Sequence, residues 1–99
     1  MSAVKPTYPL TLVKGLINDG SWVLTAVAED DAMALGFDQD DVRDCICNHL
    51  SETHFYKTMP SEKNPKLMQD VYHITYENQP LYVKLQVNLN AVVISFKAR

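Results

Sequence analysis

The residues best placed to do chemistry lie near the end of this 99-residue chain. In Leu81 to Asn88 the positions Leu81, Val83, Leu85 and Val87 are apolar, while Tyr82, Lys84, Gln86 and Asn88 are polar, the period of a strand with one buried face. Ala91 to Lys97 alternates as well, with Val92, Ile94 and Phe96 expected toward the core and Ser95 and Lys97 away from it. Leu89 and Asn90 read as a two-residue turn, which pairs Asn88 with Ala91. That register sets Tyr82 directly opposite Lys97, with Cβ atoms about 4.5 to 5.5 Å apart. An ammonium beside a phenol on an open polar face can draw the phenol toward giving up its proton, or the two can hold a phosphate between them. Solvated Tyr and Lys neighbours are also common on sheets, so the spacing alone does not make the pair catalytic.

Other side chains have the right chemistry but commoner uses. His73 and His54 are tempting acid-base groups because an unperturbed imidazole titrates near neutrality, yet most such histidines are surface or cap residues. Trp22, Tyr56, Tyr72 and Tyr76 could stack on bases, but aromatic residues on half-buried strands usually pack. The acidic run Glu29, Asp30 and Asp31 with Asp38, Asp40, Asp41 and Asp44 lacks the spacing of a calcium loop and reads as a solvated helix face. Cys45 and Cys47 are too close in sequence for an ordinary disulfide and lack the second ligand pair of a zinc site, so they read as reduced thiols.

The elements that would carry these groups follow from periodicity. Thr7 as N-cap, Pro9 in the first turn and Leu10, Val13, Leu16 and Ile17 at helical spacing predict a helix near 8 to 19, ended by Gly20. Trp22, Val23 and Leu24 read as a short extended link, and Ala26 to Leu35 as a second helix. Asp38 caps a third, with acids in its first turn and Val42, Cys45, Ile46, His49 and Leu50 on one face. From His54 onward the period becomes alternating, with strands over Phe55 to Met59, Leu67 to Tyr76, Leu81 to Asn88 and Ala91 to Lys97. Helices followed by about four strands predict one α+β domain over residues 1–99, the N-terminal helices packed on one face of a C-terminal antiparallel sheet.

Composition sets the outer bounds. With 46% apolar residues the chain can build a core, and no apolar run approaches the roughly 20 residues of a membrane span. The start Met1-Ser2-Ala3-Val4-Lys5-Pro6 has no hydrophobic signal core, so a soluble cytoplasmic protein is expected. The net charge of −3 hides an asymmetry. Acids dominate the first fifty residues, whereas in the rest Lys57, Lys63, Lys66, Lys84, Lys97 and Arg99 outnumber Glu52, Glu62, Asp70 and Glu77. A polyanion should meet the second half.

Four blocks there, LSETHFYKTM (Leu50 to Met59), QDVYH (Gln69 to His73), LYVKLQV (Leu81 to Val87) and VVISFK (Val92 to Lys97), stand in order and spacing as in a known family. The chain resembles the MqsR (motility quorum-sensing regulator) family of mRNA interferase toxins, clearly over residues 49 to 97. Over the first half the likeness is weaker, carried by VKGLINDG (Val13 to Gly20) and ALGF (Ala34 to Phe37). The resemblance implies a RelE-like fold and the toxin of a toxin-antitoxin pair, held in check by a cognate antitoxin. It also implies an endoribonuclease that cuts single-stranded mRNA without a metal or other cofactor, by attack of a ribose 2′-hydroxyl on the adjacent phosphate.

The same resemblance places active-site candidates at Lys57, Gln69, Tyr82 and Lys97. Lys57 and Lys97 would stabilise the phosphate, Tyr82 would transfer a proton or touch the phosphate, and Gln69 would hold the nucleotide. For Gln69 to share the face of Tyr82, the loop before Leu81 must have the right parity. A three-residue loop, Glu77 to Gln79, puts Gln69 on the wrong face, whereas a four-residue loop, Tyr76 to Gln79, pairs Thr75 with Pro80 and sets Gln69 opposite Gln86. The longer loop is therefore expected. The competing reading is a non-catalytic RNA- or protein-binding module on the same fold; a metal-dependent nuclease lacks any clustered carboxylate and histidine spacing.

Overall fold

A computed structural model describes residues 5–99; the four residues before them, part of the stretch expected to lack a signal core, lie outside the described residues. Three helices, α1 (Leu10–Asn18), α2 (Ala26–Ala34) and α3 (Gln39–Asp44), precede most of a five-stranded sheet. Its strands are β1 (Trp22–Leu24), β2 (Phe55–Pro60), β3 (Met68–Tyr76), β4 (Gln79–Asn88) and β5 (Asn90–Ala98), ordered β1-β5-β4-β3-β2. The α+β expectation holds, with one strand more. Trp22–Leu24, read as a link, pairs in parallel with β5 through Trp22↔Ala91, Val23↔Val92 and Leu24↔Val93, making the sheet mixed. Three residues are too few to display alternation, and the partner strand is far away in sequence.

The helix starts are built by capping. Thr25 Oγ1 accepts from the Ala28 amide at 3.2 Å, and Asp38 and Asp41 form a reciprocal capping box at 2.9 and 3.0 Å. At α1 the cap position belongs to Pro9, not Thr7. The Thr7 and Tyr8 amides instead donate to the buried Asp70 carboxylate on β3, at 3.0 and 2.8 Å. Charge-assisted bonds of this kind are the strong ones, and they strap the segment before α1 across the sheet.

After Asp44 the third helix widens into a π-helical turn, Cys45–His49. Val42, Cys45, Ile46 and Leu50 stay in the core, but His49, expected on the same face, is turned out beside Asp44. The widened turn adds a residue and rotates the chain beyond it. Asp44 accepts from Asn48 Nδ2 and from the Tyr76 hydroxyl, and these bonds hold its carboxyl below the usual range.

Every helix packs on one side of the sheet. Leu10, Val13, Ile17, Ala28, Ala32, Val42, Cys45, Ile46 and Leu50 meet Tyr72, Ile74, Leu81, Val83, Leu85, Val93 and Phe96 there. Burial pushes the Cys45 thiol up to about 12, so it behaves as a small core side chain. Among the described residues the opposite side carries no helix, and it is this bare face that presents Tyr82.

Candidate active site

Register decides which side chains reach the bare face. β3 and β4 join through a two-residue turn, Glu77 and Asn78, with φ of 51° and 64°, the left-handed pair of a type I′ hairpin. It is shorter than the four-residue loop expected, but it has the same parity and keeps Thr75↔Pro80. His73 therefore faces Tyr82, and the Gln69 amide donates to Gln86 Oε1 at 3.0 Å.

Between β4 and β5 two departures cancel. Asn88 pairs with Asn90 about the single residue Leu89, at φ 70°, instead of pairing with Ala91. A bulge between Lys84 and Leu85 then leaves Ile94 unpaired, and from Ser95 on the expected register returns as Lys84↔Ser95, Val83↔Phe96 and Tyr82↔Lys97. Ala91, Val93 and Phe96 are the buried residues of β5, so Val92 and Ile94, expected in the core, are only half-buried. Ile94 instead lines a shallow depression of about 210 Å³ on the bare face with Ser61, Glu62, Lys63, Gln69 and Lys84.

A second bulge, on β2, separates Phe55↔Tyr72 from Lys57↔Val71. Phe55 packs on Tyr72 with ring centroids 5.7 Å apart, while Tyr56 and Lys57 both belong to the bare face. The Tyr56 ring lies flat on His73 (centroids 4.1 Å apart, planes at 17°), and His73 meets Tyr82 at 5.9 Å and 44°. Cations flank this row: Lys57 Nζ is 5.7 Å from the Tyr56 centroid, and Lys97 and Lys84 Nζ are 5.2 and 5.8 Å from that of Tyr82. Burial, then the charges of Arg99 and Lys57, lower the His73 pKa.

Such a surface can grip a phosphate with several ammonium groups, offer a phenol and an imidazole for proton transfer, and stack a base. The acids of the helices sit on the far side of the sheet, and among the described residues no three His, Cys, Asp or Glu side chains gather as metal ligands.

A family model described as "Motility quorum-sensing regulator, toxin of MqsA" matches residues 5–98. The chain belongs to this MqsR toxin family. It is similar to the mRNA interferase toxin MqsR of Escherichia coli (strain K12), with 34% identity over 94 residues, which is 95% of each chain.

Set against its MqsR-family candidates, the geometry sorts them. Tyr82 and Lys97 are cross-strand neighbours, and Lys57 shares their face two strands away, about 10 Å by strand spacing. Gln69 is on the same face but four residues along β3 from His73, about 13 Å, and is 7% exposed beside the depression. The sequence reading gave His73 and Tyr56 little weight, and the structure puts His73 at the centre of the row with Tyr56 stacked on it. His54, by contrast, caps a turn, its Nδ1 accepting from the Ser51 amide at 3.0 Å. Register alone would have flagged His73, since it pairs with Tyr82; Tyr56 could not be placed without knowing the bulge.

Proposed function

We propose that residues 1–99 act as one toxin domain of a type II toxin-antitoxin system, an endoribonuclease that cleaves single-stranded mRNA without a metal. A cognate antitoxin would be its protein partner and mRNA its substrate. The observation that carries the reading is the cross-strand pair Tyr82 and Lys97 on a helix-free face that also bears Lys57 and Lys84. Family membership and the name of the Escherichia coli relative point the same way.

In the reaction a ribose 2′-hydroxyl attacks the adjacent phosphorus and the bond to the 5′-oxygen breaks, leaving a cyclic phosphate and a free 5′-hydroxyl. Negative charge builds on the phosphate oxygens as five oxygens crowd the phosphorus. Preorganised cations at that point lower the barrier most when they are aimed where charge develops. Lys97 and Lys57 flank opposite ends of the aromatic row, which suits an RNA backbone lying across it with phosphates near both cations. Tyr82, between Lys97 and His73, is placed to donate a proton to the leaving oxygen or to bind the phosphate. Gln69 and the depression beside it lie farther along the face, where a neighbouring nucleotide would rest.

Incubating the purified protein with a long single-stranded RNA in excess chelator tests this. The expected result is fragments with cyclic phosphate and 5′-hydroxyl ends. Retention of RNA without cutting would establish a binding module instead, and cutting abolished by the chelator would establish a metal-dependent nuclease.

A further inference from the structure

The bare face holds cations and a phenol, but a base for the 2′-hydroxyl must be unprotonated near the working pH to be effective. Lysine ammonium groups and tyrosine hydroxyls ordinarily keep their protons to about pH 10, whereas an imidazole ordinarily titrates near 6.5. Of the three histidines, His54 is a turn cap and His49 sits on the helical side against Asp44. We propose that His73 is the catalytic base of the cleavage, taking the proton of the attacking 2′-hydroxyl. The inference rests on the cleavage reading above and assigns it a residue.

Position supports this. His73 is at the centre of the row, stacked on Tyr56 from β2 and tilted against Tyr82 from β4, so its plane is set by neighbours on both sides. Neither ring nitrogen has a hydrogen-bond partner among the described residues, which leaves a lone pair for substrate. The titratable and charged groups around it are Tyr56 and Lys57 from β2, Tyr82 and, diagonally, Lys84 from β4, and Lys97 and Arg99 from the end of β5. All the charges are positive. Together with partial burial, Arg99 and Lys57 keep the imidazole neutral to a lower pH than usual.

The step balances without a further reactant. The 2′-oxygen gives its proton to the free imidazole nitrogen and its electron pair to phosphorus; the bond to the 5′-oxygen breaks, and that oxygen takes a proton from the Tyr82 hydroxyl. The imidazolium then loses its proton to solvent and Tyr82 regains one.

The test is the pH profile of kcat/KM for chelator-resistant cleavage of single-stranded RNA by wild type, His73→Gln and His73→Phe, with melting curves for each. Wild type should lose activity about tenfold per pH unit below a pKa under 6.5. Both variants should be at least about 100-fold slower and lack that acid limb. His73→Phe keeps an aromatic ring between Tyr56 and Tyr82, so a merely stacking role would leave it active, overturning the proposal. Imidazole added to His73→Ala should restore cleavage in proportion to the free base. His73→Gln with wild-type rate and acid limb would equally overturn it. A wild-type protein that cuts no RNA would refute the cleavage reading, and this inference with it.

Discussion

Neighbouring positions on β5 should fail in opposite ways when truncated. Phe96 is fully buried, its ring edge-on to Phe37 at 6.2 Å, so Phe96→Ala should cost about 3 to 5 kcal/mol of stability. In a domain of this size that lowers the melting temperature by more than about 10 °C. Lys97, one residue on, is exposed, and its one aromatic contact is Tyr82 at 5.2 Å. Losing an exposed cation–π contact removes about 0.5 to 1 kcal/mol. The effect of Lys97→Ala should fall on the chemistry. A unit charge about 4 Å from a phosphate oxygen contributes about 1 kcal/mol in bulk water and about 4 kcal/mol near a protein surface. An exposed ammonium lies nearer the first limit, which gives about 1.4 to 2.5 kcal/mol, or roughly ten- to seventyfold in kcat/KM. Chelator-resistant cleavage rates and melting curves of the two variants separate the effects. Lys97→Ala with wild-type kcat/KM would remove Lys97 from the site, and Lys97→Ala as destabilised as Phe96→Ala would refute the register.

Tyr82→Phe should lose at least roughly tenfold in kcat/KM with an unchanged melting temperature, since only the hydroxyl of a half-buried residue is removed. Tyr72→Phe should raise stability by about 1 kcal/mol in denaturant titration, because the buried Tyr72 hydroxyl has no hydrogen-bond partner and its desolvation is uncompensated. The depressed pKa of His73 means the unfolded chain binds its proton more readily than the folded one. Its stabilising contribution is therefore full above about pH 6.5 and lost as pH falls through the folded value, and His73→Gln should erase that part of the melting-temperature profile. The depressed Asp44 carboxyl acts in the same direction at lower pH, its contribution disappearing as pH falls below the ordinary carboxylate range. Expression without a cognate antitoxin should arrest growth, and normal growth with a folded product would count against the toxin reading.

Much of this fold was legible because one physical signal dominated each stretch. Helical spacing of Leu10, Val13 and Ile17 located α1 and the capping chemistry of Asp38 located α3; strict alternation in Leu81 to Val87 located β4 and its buried face. Failures came where the signal was long-range or locally silent. β1 is a strand only because β5 lies beside it. The Asp70 strap depends on backbone amides more than sixty residues away. In Val92 to Ser95 three β-branched apolar residues in succession fit either face, so nothing in them marks where the bulge falls. Lys57 and Gln69 owed their selection to family resemblance: no turn fixed the register of Lys57, and for Gln69 the loop length was chosen to bring it to the face of Tyr82.

The two bulges are what make one sheet serve as both core and site. On β5, the register set at Leu89 would, if continued, pair Tyr82 with Phe96, turning that ring to solvent and Lys97 into the core. The unpaired Ile94 reverses this, returning Phe96 to Val83 and Lys97 to Tyr82. On β2, continuing from Phe55↔Tyr72 would pair Lys57 with Asp70, on the core side. The shift at Tyr56 sends Lys57 opposite Val71 and leaves Tyr56 free to stack on His73. Each bulge thus gives up one residue of ladder to keep a large aromatic group, Phe55 or Phe96, on the core side while a lysine, two residues on in β2 and the next residue in β5, reaches the bare face. A side-chain period of two cannot send Phe55 and Lys57 to opposite faces without such an interruption, and on β5 the bulge undoes the one-residue slip of the Leu89 turn, which would otherwise move every later side chain to the other face. The cationic flanks of the site are therefore consequences of irregular backbone, and removing Ile94 should displace Lys97 from Tyr82 more completely than any substitution at Ile94 itself.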